Sequence, residues 1–134
     1  MRSKEFLIEG LSRKSTYSIL HKFIGFAAKH LELDSLPKFD FVFDANNAAE
    51  RKSFGGYGGE HIQITVQHRH IMDVCRTLAH ELVHYKQDLN GDLDGPDPGA
   101  TGSPQENEAN AEAAVIMRNW GKQNPELFTQ VSIG

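Results

Sequence analysis

The stretch IMDVCRTLAHELVHYKQDL, residues 71–89, decides how the rest of the chain is read. Ile71, Val74, Cys75, Leu78, Leu82, Tyr85 and Leu89 recur at three- and four-residue spacing. Neither proline nor glycine interrupts the run, so it predicts one amphipathic helix. On that helix His80 and His84 lie one turn apart on one face, largely opposite the apolar stripe through Leu78 and Leu82. Both imidazoles can reach a single metal ion, while Glu81, one step round, points into the same cleft. His80-Glu81-Leu82-Val83-His84 therefore supplies two metal ligands and a base, the pattern of a hydrolytic zinc site. Zinc lowers the pKa of a bound water from about 15.7 towards about 7, and Glu81 is the expected catalytic base that takes the water's proton.

A catalytic zinc needs one more protein ligand. No histidine follows His84, which excludes the metzincin arrangement: the position of its third histidine is Asn90, and that of its glycine is Gln87. SprT-like proteases, which also use a later histidine, are excluded in the same way. What remains is an acidic residue on a second helix, or one of the upstream histidines His61, His68 and His70. The second helix announces itself in Ser103-Pro104-Gln105-Glu106, which reads as N-cap, proline at the first helical position and a capping-box glutamate, and it runs to about Lys122. Three carboxylates on it are candidates, Glu106, Glu108 and Glu112. Glu106 is allotted to the capping box, whereas Glu108 and Glu112 share a face beside the stripe of Ala109, Ala113, Ile116, Met117 and Trp120. Glu108 is thus the favoured third ligand, and Glu112 the acceptor expected to orient a ligating histidine.

HELVH followed by Asn107-Glu108-Ala109-Asn110-Ala111-Glu112 resembles the gluzincin pattern of thermolysin-like peptidases. Glu108-Ala109-Asn110 is also similar to the small metallopeptidase domains of the ImmA/IrrE type, and the size to the minigluzincins. The chain departs from the thermolysin pattern in having Glu112 where an aspartate is usual. It also lacks an obvious downstream transition-state histidine. The resemblance implies a zinc metalloendopeptidase with one Zn2+ per chain, acting on a peptide or protein substrate. It covers residues 71–120, about a third of the chain. Tyr57, His61 and Gln87 are the candidates for transition-state or substrate contacts. The alternative function is a zinc-stabilised binding or regulatory module with little activity.

The remaining sequence supports an α+β domain. A chain of 134 residues, 39% hydrophobic and 24% charged, can bury one modest core. Its net charge of −4 and lack of a basic cluster argue against nucleic acid as a partner. No apolar run is long enough for a membrane span, so the chain is expected to be soluble, and cytoplasmic at synthesis. Cys75, the sole cysteine, lies on the core stripe and reads as an inert buried thiol. Ile19, Leu20, Phe23, Ile24, Ala27 and Leu31 predict an N-terminal helix from Thr16 to about Leu33. Phe39–Phe43 and Ile62, Ile64 and Val66 alternate as strands of a small antiparallel sheet, and an extended substrate is expected to pair with residues 61–66. Gly55–Gly59 reads as a hairpin or lid, and Asn90–Ser103 as a solvated loop whose likeness to a calcium loop is weak.

Residues 1–14 read as a leader ahead of a single domain at 15–134. Leu7-Ile8-Glu9-Gly10 resembles the capsid-targeting leaders of internal head proteins in T-even-like bacteriophages, where a prohead protease cuts after the glutamate. That resemblance implies cleavage after Glu9 and residence in the virion head interior.

Overall fold

Seven elements succeed one another in the computed structural model, which describes residues 10–44, 46, 55–58, 60–93, 102–129 and 133–134. They are α1 (Arg13–His30), β1 (Lys38–Val42), β2 (Gly55–Gly58), β3 (His61–Thr65), α2 (Ile71–Leu89), α3 (Pro104–Gln123) and a closing 3-10 turn (Pro125–Thr129). The architecture is α+β, with three helices against a three-stranded sheet. The residues of the proposed leader up to Glu9 lie outside the described residues, as does the loop 94–101.

Helix α1 starts at Arg13 because Ser12 caps it, its Oγ accepting from the Ser15 amide at 3.1 Å. The helix thus begins three residues before the expected Thr16 and ends three residues before the expected Leu33. Its apolar face buries Leu20, Phe23, Ile24 and Ala27. Phe23 meets Trp120 of α3 edge-on with ring centres 5.2 Å apart. Helix α2 contributes Val74, Cys75, Leu78 and Leu82, all fully buried, so the stripe read from the sequence is the core face. Burial also raises the Cys75 thiol pKa, which keeps it protonated. Leu11 pairs with the fully buried Ile133, tying the two ends of the described chain together.

The sheet is mixed rather than wholly antiparallel. Its strand order is β1-β3-β2, with β3 antiparallel to β2 and parallel to β1. The most apolar strand takes the centre, since Ile62 and Ile64 have no exposed surface, while the charged β1 and the glycine-rich β2 take the edges. This corrects one expectation: residues 61–66 cannot receive an extended substrate, because β3 is paired on both sides. The glycines of Gly55–Gly58 form the outer strand of a hairpin with β3, the hairpin of the two readings and not the lid. Gly55 has a packing reason: a Cβ there would stand 2.6 Å from Thr77 Cγ2 and 3.1 Å from Ile64 Cδ1. The strand passes directly over α2 where only glycine fits.

Candidate metal centre

Helices α2 and α3 pack in opposite senses. Gln87 near the end of α2 meets Gln105 and Glu108 at the start of α3, and Met72 near the start of α2 approaches Gly121 at the end of α3. Ser103 caps α3 with its Oγ 3.1 Å from the Glu106 amide, and Pro104 stands at its first position, as read from the sequence. This packing aims the first turn of α3 at the histidine face of α2.

The carboxylate that arrives there is that of Glu106. Its Oε1 is 2.9 Å from His80 Nε2 and its Oε2 is 3.1 Å from His84 Nε2. The ligand atoms of His80, His84 and Glu106 all lie within 4.8 Å of one another, a group that could hold a metal ion. In the place expected for Glu108 the structure therefore has Glu106. Glu108 lies about 200° further round α3, and its Oε1 accepts from Gln87 Nε2 at 2.7 Å. Glu112, expected to orient a ligating histidine, follows Glu108 to that other face and meets His30 Nε2 of α1 at 3.3 Å.

The residue that orients His84 is Gln87. Its Nε2 donates to the Gln105 carbonyl at 2.9 Å and to Glu108, which leaves Oε1 to face His84 Nδ1 at 2.7 Å. An amide oxygen only accepts, so His84 carries its proton on Nδ1. In the neutral ring Nε2 then presents a lone pair to Glu106 Oε2, 3.1 Å away. That contact needs either a proton on Nε2 or a metal cation held by both atoms, and the donor set of two imidazoles and a carboxylate matches what zinc takes. Gln87 is 2% exposed, so its three hydrogen bonds are shielded from water. His80 is bonded by the Asn110 side chain besides Glu106. Burial holds the His80 pKa below its ordinary value of 6.5, helped by the neighbouring His84 and opposed by Glu106 and Asn110. The ring is thereby kept in the neutral form that binds metal.

Glu81 is buried on the flank of α2 that faces the sheet. Its Oε2 is 3.6 Å from where a Cβ of Gly55 would stand, so the carboxylate lies beside the outer strand β2. The three other sequence candidates go elsewhere. Tyr57 donates to Asp88 Oδ2 at 2.5 Å, with its pKa raised by burial and by that carboxylate. His61 is exposed at the start of β3. Gln87 belongs to the hydrogen-bond relay behind His84. Of the upstream histidines, His70 caps α2 by accepting from the Met72 amide at 3.1 Å, and His68 is exposed in a turn at φ 63°.

Compared with known proteins, the chain matches no family model, and no curated protein or solved structure matches it.

Proposed function

We propose that the protein is a zinc-dependent peptide-bond hydrolase in which His80, His84 and Glu106 hold one zinc ion per chain and Glu81 is the base. The observation that carries this reading is the enforced tautomer of His84. Its Nε2 lone pair is turned toward a carboxylate oxygen 3.1 Å away, and a proton or metal cation must lie between them. A bound zinc supplies Lewis-acid polarisation of the scissile carbonyl and a water acidic enough to deprotonate near pH 7.

The chain's own groups supply the remainder. Glu81 accepts a proton on its carboxylate and returns it to the leaving amine, a transfer for which a buried carboxylate beside the cleft is suited. Strand β2 is the outer strand of the sheet, and extended peptides add to such edges through backbone hydrogen bonds, with the scissile bond then lying over Glu81. A purely structural zinc site would need no base, and such sites favour cysteine ligands, whereas Cys75 is buried in the core.

The test is a pair of variants. His80→Ala should lose the zinc found by elemental analysis of the parent protein. Glu81→Gln should keep zinc and fold but cease to cleave casein or a peptide library, because an amide cannot accept the proton. Equal cleavage by Glu81→Gln and parent would remove Glu81 from the chemistry. Zinc binding without cleavage by either would leave a zinc-stabilised binding module as the better description.

A further inference from the structure

From His80 a cavity of about 510 Å³ runs along the α2–α3 interface away from Glu106. His80 and Asn110 form the end nearest the metal centre. Met72, Ala113 and Met117 make an apolar floor, each at most 7% exposed. Phe128 of the 3-10 turn closes the far end and is 61% exposed despite its size. Its position is built into α3: a Cβ on Gly121 would lie 2.9 Å from Phe128 Cε2 and Cζ, so the ring rests on the helix backbone itself. A glycine inside a helix disfavours the helix relative to alanine, and here it is what lets the aromatic ring settle beside the cavity. The volume falls within the range of about 300–1,000 Å³ typical of ligand sites.

Two arginines also line this cavity, Arg76 from α2 and Arg118 from α3. Both are exposed, and among the described residues neither has a carboxylate partner. An apolar floor continuous with His80 and bordered by these two guanidinium groups selects its occupant by chemistry. We infer that this cavity receives the substrate peptide on one side of the scissile bond, seating a bulky apolar side chain on Met72, Met117 and Phe128 and an acidic group at Arg76 and Arg118. The inference rests on the hydrolytic reading of the neighbouring metal centre and names the substrate class for it. Methionines adapt to apolar side chains of differing shape, so leucine, phenylalanine and methionine all fit. Arg76 stands one turn before His80 on α2, about 6 Å along the axis. An extended peptide advances about 3.4 Å per residue, which places the acidic group within roughly two residues of the cleaved bond.

The experiment measures binding separately from turnover. Fluorescein-labelled pentapeptides with phenylalanine followed by glutamate, glutamine or lysine are titrated against zinc-loaded Glu81→Gln protein and followed by anisotropy. The glutamate peptide should bind about tenfold more tightly than the lysine peptide, as expected for unlike against like charges at a partly desolvated site. Adding Arg76→Glu and Arg118→Glu together should reverse that order. Ala114→Trp, at an exposed position on the cavity wall, should weaken every phenylalanine peptide by about tenfold by filling the space. Zinc content and circular dichroism of each variant confirm that the fold persists. An unchanged order after charge reversal, unchanged affinity after Ala114→Trp, or no binding of any peptide would each overturn the inference. Failure of the parent to hydrolyse peptides that nonetheless bind here would instead refute the proposed reaction alone.

Discussion

Glu106 and Glu108 are two residues apart on α3, which puts them about 200° apart around the helix, and only one of them can face α2. The buried stripe identifies which. Glu106 lies three residues before Ala109 and seven before Ala113, in line with the core face, so it was the better choice on periodicity. The capping-box assignment obscured this, because a residue at the third helical position can satisfy a cap with its amide while its side chain goes elsewhere, as happens here. Zinc titration should therefore show loss of binding in Glu106→Ala and retention in Glu112→Ala, with Glu108→Ala affected only through Gln87. Gln87→Leu should weaken zinc by about 10–100-fold, the usual cost of removing the partner that orients a ligand. For metal-free protein, His80 gives a pH dependence of definite sign. Its pKa is lowered in the fold, so on acidification below 6.5 the unfolded chain takes up the proton first and stability falls. Urea unfolding at pH 7.5 and 5.5 should show this loss, and His80→Asn should reduce it.

The contact between β2 and α2 governs the cleft at the next scale. Gly55 sits against Thr77 and Ile64 with no room for a methyl group, and Glu81 lies alongside. Gly55→Ala should force the strand away from the helix, costing about 1–3 kcal/mol by overpacking and reducing hydrolysis more than zinc binding. Thr77→Ser removes the methyl that a Cβ would meet at 2.6 Å while keeping the hydroxyl that bonds Arg69 and Asp73. The double variant should recover much of the lost stability in thermal melts. Failure to recover would mean that the strain lies elsewhere. In the sequence the glycine run left hairpin and lid undecided, because glycine is poor at forming strands. Its use in a strand follows from the helix beneath it, which local preference does not register.

For the molecule as a whole, the candidate ligands come from two helices that are brought together by the shared core, so metal binding and folding should be coupled. Zinc at about one hundred times its Kd should raise unfolding stability by about 2.7 kcal/mol. Chelation should remove that increment, and His84→Ala should never show it; the difference is measured as a shift in Tm. Among the described residues no helix is long and apolar enough to cross a membrane. Much of this plan was legible in the chain. The bounds of α2, the cap of α3, the α+β class and the shared face of His80 and His84 follow from hydrophobic period, capping chemistry and the one-turn spacing of the two histidines, all short-range properties. The identity of the carboxylate, the relay through Gln87, the central place of β3 and the cavity beyond His80 required packing between elements. They depend on how α3 is rotated against α2 and which strand carries the fully buried isoleucines, relations between residues far apart in sequence that no local pattern encodes.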